Sequence, residues 1–356
     1  MYYCFLFLTR TVVTFHHYIF EFFYQAKSCS TTNSEDEKTL DGIENMEENM
    51  ENIAKHFLVL KATGCHPDVT CSMVIARESC CEINALRLRR LQDAAINNLN
   101  VYNIGIASVT GDGASENVTF NEISCTVRLG DFLTTETRSL FEKYHLEEYL
   151  DYKVAKIDPY TGDLIFFMED MPHVVKRLVN ALYDSSKEST TRNLHHGDHC
   201  MNLRMIEQVW EKTGGTSQGV HTTHLTGAHF DKDNFSKMRV YLCVQVVSGS
   251  VLRMFKSAFD NPTTRAQLPF QKDEYAPLLD FITHVNDFVD ILNGRGGKNF
   301  TPTEGLPIIE SLLKIFEWFD RWKKLNESSN LSEKKFLAKQ TWEGLERIIC
   351  CYVGKL

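Results

Sequence analysis

The chain has 356 residues, 43% hydrophobic and 24% charged, which suits a soluble globular protein with ample material for a large core. Its formal net charge of −9 argues against a dedicated nucleic-acid-binding domain, since such domains are usually basic. The 11 cysteines are scattered, with adjacent pairs at Cys80-Cys81 and Cys350-Cys351. That pattern excludes a disulfide framework and reads as reduced, intracellular thiols.

Residues 1–26 are dense in aromatics. Arg10, His16, His17 and Glu21 interrupt the run, so it lacks the roughly 20 consecutive apolar residues of a membrane span. A strand or helix packed on a domain, or a non-native start to the reading frame, is the expectation, with no membrane partner. Residues 27–51 form an acidic linker, opposed only by Lys38 after Lys27. His56 to Ala62 and Val69 to Ala76 read as two strands joined by a turn at Gly64 and Pro67. Asn84 to Asn98 has helical spacing, with Leu86, Leu88, Leu91, Ala94 and Ala95 as its apolar positions.

Asn103 to Asn117 is the most telling stretch. An apolar strand, Ile104 to Val109, stops at Gly111-Asp112-Gly113, and Ala114 to Asn117 open a helix. A strand that ends in a carboxylate flanked by glycines places that carboxylate at the C-terminal edge of a parallel sheet, where ligands and metals bind. The same segment also reads as a plain strand–turn–helix connection with Asp112 solvated. Leu164 to Met168 is a second apolar strand, ending in Glu169 and Asp170. Pro172 then starts a helix whose apolar face is Val174, Val175, Leu178, Val179 and Leu182.

After Leu182 no strand alternation is evident, and Leu203 to Lys212 and Met238 to Lys256 predict helices. His195, His196, His199 and Cys200 cluster there, with His221, His224 and His229 nearby. Zinc uses these ligand types, but no C-x2-C pair accompanies them and exposed loop histidines are the simpler reading. No GxxxxGK[ST] phosphate loop occurs, and Gly294 to Lys298 is a glycine-rich loop that follows a helix.

Five stretches in order resemble P-element-type transposases, the group that includes cellular transposase-derived proteins carrying a THAP zinc finger. Thr110 to Asn117 matches a TxDGAxxN-like motif, and Asp170 to Asn180 a DPPHLIKxxRN-like motif. Leu225 to Val251 matches an LTxxHxxxxxxxKMRVxLAxQVxSxSV-like segment. Phe281 to Arg295 matches FIxxxNDxFDxLNSR, and Phe336 to Leu345 matches FLxxQTxxGL. The resemblance implies an α/β fold: an RNase H-like mixed sheet interrupted by a mostly helical insertion domain. Its N-terminal part would be 52–182, the insertion 183–262 and its C-terminal part 263–356.

The resemblance also implies chemistry. Carboxylates from separate elements would hold paired Mg²⁺ ions for phosphoryl transfer on DNA, as cleavage and strand transfer. Asp112 matches the second acid and is a metal ligand by that reading. Asp280 sits where an EFI-like motif places the third acid and is the other expected metal ligand; Glu274 is the alternative catalytic acid. Asp287 and Asp290 read as polar helix faces or nucleotide contacts. The first acid, on a DEM-like first strand, would fall in residues 5–20, where no Asp occurs; Glu21 is the nearest acid. No zinc-finger spacing is present either, so the chain reads as an internal fragment or a decayed or domesticated copy. Further expectations are GTP in the insertion, transposon-end DNA and a second copy of the chain as partners, and a nuclear location. Two functions compete: an active transposase core, and a catalytically dead module that binds DNA or protein.

Overall fold

A computed structural model describes residues 2–12, 56–64, 72–80, 84–186, 191–215, 223–231, 239–293, 302–329 and 332–356. Glu21, the linker 27–51, His221 and the glycine-rich stretch 294–298 lie outside the described residues. The chain divides into two compact units, Met1–Ser124 with Ile157–Ile165, and Cys125–Lys156 with Phe166–Leu356.

The first unit holds strands β1 (Tyr2–Val12), β2 (His56–Gly64), β3 (Ser72–Cys80) and β4 (Ile104–Gly111), in the order β3-β2-β1-β4. β1 runs antiparallel to β2, with Cys4 opposite Gly64 and Val12 opposite His56. β2 is antiparallel to β3. β1 is parallel to β4, with Tyr2 beside Ile104 and Leu8 beside Gly111. Residues 2–12 of the aromatic N-terminal segment are therefore a strand, and it lies between β2 and β4. This succession of three antiparallel strands and a parallel fourth is the RNase H-like mixed sheet. β4 is buried at nearly every position, as expected of a strand covered on both faces.

Helices α1 (Ala85–Val101) and α2 (Ser115–Ser124) complete this unit. α1 starts at Asn84, whose side chain accepts the Arg87 N–H at 2.9 Å. Its buried face is Leu88, Gln92, Ala95, Ile96 and Leu99. Leu86, expected on the apolar face, is 63% exposed. It lies within the first turn, about 200° around the helix from Leu88 at the 3.6-residue period.

The second unit begins with β5 (Val127–Arg128) and takes in most of β6 (Lys153–Ile157) and β7 (Leu164–Glu169), in the order β7-β6-β5. Helix α3 (Thr135–Lys143) precedes β6. Helix α4 (Met171–Asp184) follows β7, with Pro172 in its first turn and all five expected apolar positions buried. Next comes a hairpin of β8 (His195–His196) and β9 (His199–Cys200), which alternation does not reveal because each strand has 2 residues. Its turn is Gly197-Asp198, and Gly197 takes φ +61, the left-handed value a two-residue hairpin turn needs at its first position.

From there to the long C-terminal helices the described chain is helical: α5 (Leu203–Lys212), α6 (Val240–Val246), α7 (Gly249–Asp260) and α8 (Pro262–Ala266). The single helix expected over 238–256 is broken between α6 and α7. Ser248 is extended there, at φ −84 and ψ 156, and the Gly249 N–H is bonded by the Asn286 side chain at 2.8 Å. Helices α9 (Lys272–Leu292), α10 (Pro302–Ser328) and α11 (Lys339–Lys355) share an aromatic core. Phe281, Phe316, Phe319 and Trp322 are almost fully buried in it. Phe281 meets Phe319 at 6.0 Å between ring centres, and Phe316 stacks on Trp342 at 5.6 Å. No helix among the described residues is long and apolar enough to cross a membrane. Among the described residues, Cys125, Cys200, Cys243, Cys350 and Cys351 are free thiols.

Candidate functional site

Asp112 follows β4 directly and precedes α2. Its Oδ1 accepts the Asn117 side-chain amide at 2.6 Å and the Ala114 N–H at 3.2 Å. The same Asn117 amide reaches the Asp112 carbonyl at 3.1 Å. Asn117 is buried, so this grip is shielded from solvent. Gly111 makes room for it: a Cβ there would come within 3.2 Å of the Asn117 side chain. The TGDGASEN stretch thus encodes a carboxylate and its own clamp. The clamp could have been read from the spacing, since a residue five positions on lies on the first turn of the following helix.

The register of β1 defines the other side of this edge. Leu8 is beside Gly111, so the β1 position next to Asp112 is Thr9. β1, YYCFLFLTRTV, carries no Asp or Glu anywhere. Glu21 lies outside the described residues.

In the second unit, Asp280 and Glu274 share α9. Asp280 is exposed, and its charge acts on His196 and His284. Glu274 serves the helix itself, its carboxylate accepting the Gln271 N–H at 2.7 Å in the capping box that starts α9. Asp170 is bonded to His173 Nδ1 at 2.7 Å. Glu169 is buried, and Arg177 pairs with it. Burial pushes its carboxyl up, opposed by that guanidinium.

Three of the clustered histidines, His195, His196 and His229, take packing and hydrogen-bonding roles. His196 stacks on Trp318 at 5.5 Å, and burial lowers its pKa. His195 bonds Asn193 at 3.1 Å, and its carbonyl accepts the Trp322 indole N–H at 2.6 Å. His229 is a pin: Nδ1 accepts the Thr226 N–H at 2.9 Å, and Nε2 lies 2.8 Å from the Gln245 oxygen. That bond ties the LTxxH and QVxSxSV motifs together. Among the described residues no group of three or more His, Cys, Asp or Glu stands close enough to hold a metal ion.

A pocket of about 500 Å³ opens at the α6–α7 break and is closed by α9. Ser248, Ser250, Arg253, His224, Asn286 and Asp290 line it among other residues. Asn286 holds it together, accepting the Gly249 N–H and donating to Asp290 at 3.1 Å.

No protein-family model matches the chain, and no curated protein matches it. A solved structure does, that of the Drosophila P element transposase strand transfer complex. The TM-score is 0.54 at 12% identity, over 98% of this chain and 76% of that one. The two share a transposase-like α/β fold.

Proposed function

We propose that this chain is a transposase-derived core that does not cut DNA as it stands and serves as a binding module for DNA or protein. The observation that carries this reading is the β1–β4 register. The strand beside Asp112 has Thr9 at the neighbouring register position and no Asp or Glu in the sequence of Tyr2–Val12. Asp112 and Asp280 are the carboxylates we assign as the remnant of a metal-binding set. Two crowded divalent ions need several carboxylates to offset their repulsion, and one missing acid leaves an ion under-coordinated. Transposon-end DNA and a second copy of the chain are the partners this reading supports, with the nucleus as its location. The test is incubation of end-bearing DNA with the protein in Mg²⁺, beside Asp112→Ala. Equal absence of cleavage in both is expected. Metal-dependent cleavage that Asp112→Ala abolishes would overturn the reading and make Glu21 the next residue to change.

A second element of the proposal is a guanine nucleotide at the α6–α7–α9 pocket. Its chemistry suits one: Asp290 supplies a carboxylate for ring N–H groups, and Arg253 a cation for phosphate. Calorimetry with GTP and ATP should show saturable heat with GTP and little with ATP. Equal binding of both, or of neither, removes GTP from the function.

A further inference from the structure

Helix α2 is buried by a polar face. Its buried residues are Asn117, Phe120, Asn121 and Ser124, which fall at i, i+3, i+4 and i+7 and so form one stripe. Only Phe120 in that stripe is apolar. Helix α1, which packs on both α2 and β4, buries Gln92, and β4 buries Ser108. Among the described residues, Asn121 Nδ2, Ser124 Oγ, Ser108 Oγ and both ends of the Gln92 amide have no hydrogen-bond partner. Helix α4, by contrast, buries Val174, Val175, Leu178, Val179 and Leu182. Apolar burial is what fastens a helix to its neighbours, and buried polar groups without partners subtract from it. Helix α2 is therefore well covered but weakly held.

What this helix holds is Asp112. Oδ1 of Asp112 takes the Asn117 amide at 2.6 Å and the N–H of Ala114, the residue directly before α2, at 3.2 Å. Two donors fill the acceptor sites of that oxygen. Both belong to the start of α2 and leave with it. The helix follows a glycine, Gly113, and its last residue, Ser124, is where the chain first leaves the first unit.

We propose that α2 is a latch on Asp112: it undocks from α1 and β4 as a unit while the sheet stays folded, and undocking releases the carboxylate. In the docked state Oδ1 is committed to Asn117 and Ala114. In the undocked state both oxygens are open to a cation or to a donor brought by a partner. Opening also returns Gln92, Ser108, Asn121 and Ser124 to water, which lowers its cost relative to lifting a helix with an apolar face.

The experiment is amide hydrogen exchange of the full chain, read on peptides covering α2 and β4, with and without about 1 M urea. In the wild type, α2 should exchange roughly a hundredfold faster than β4 and with little dependence on urea, the mark of a local opening. Ser124→Ala removes a buried hydroxyl without a partner and should slow α2 exchange severalfold, with β4 unchanged. Asn117→Ala should speed α2 exchange roughly tenfold. Labelling of the Asp112 carboxyl by a carbodiimide and an amine should rise with it. Thermal melts confirm that each variant folds, and the wild-type comparison of α2 with β4 needs no variant. Exchange of α2 at the rate and urea dependence of β4 would overturn the proposal. So would faster α2 exchange in Ser124→Ala, or equal labelling of Asp112 in the wild type and Asn117→Ala.

Discussion

A Cβ at Gly344 would stand 2.6 Å from both the Glu169 carboxylate and the Arg177 guanidinium. The glycine of the FLAKQTWEGL stretch is therefore a space requirement of a buried ion pair on β7 and α4. Gly344→Ala should destabilise the protein by about 1–3 kcal/mol, the usual cost of overpacking, as read from the urea midpoint. A midpoint unchanged from wild type would show that the pair yields freely. Residues of this kind were legible as motif letters and opaque as contacts. Glu169 reads as an acid ending a strand, and Arg177 as a residue off the apolar face of α4. Only the fold brings Arg177 back to Glu169 and sets Gly344 against both. Asp112 was legible because glycines bracket it; its hold by Asn117 depends on turn geometry that spacing alone does not fix.

At the scale of elements, hydrophobic period was a good guide where helices present one face to a core. α4 buries all five positions its pattern marks. It failed where side-chain hydrogen bonds interrupt a helix, as Asn286 does between α6 and α7. It also failed for β1, whose continuous aromatic run carries no alternation to assign a face. Helix α9 supplies a pH test. His284 packs on Trp318 at 4.9 Å, and burial lowers its pKa to about 4. Between about pH 6.5 and about pH 4 the unfolded chain binds this proton and the folded chain does not. Its contribution to stability is therefore full above the unfolded value and is lost as pH falls through that window. The loss should be about 1–2 kcal/mol once solvent screening at the partly exposed ring is counted. His284→Phe should flatten that part of the acid limb in denaturation curves. An identical limb in the variant would remove His284 as its source.

Over the whole molecule, the chain shares the fold of a P element transposase at 12% identity, and the order of five short motifs is what pointed to that fold in the sequence. What sequence could not supply was the strand register, and register is where the central place of β1 has its largest consequence. β1 precedes both its neighbours in the chain, and they arrive late: Tyr2 pairs with Ile104, and Val12 with His56. Until β4 emerges, a strongly hydrophobic strand must wait with at least one side unpaired. Such long-range pairing is slow, and an unpaired apolar strand is a template for association between chains. A start of translation past Val12 would invert the problem, leaving β2 and β4 each with an open edge where β1 belonged. Expression of a chain that begins after Val12 should give insoluble or multimeric protein by size-exclusion chromatography, and a β1 peptide supplied in trans should return part of it to the soluble fraction.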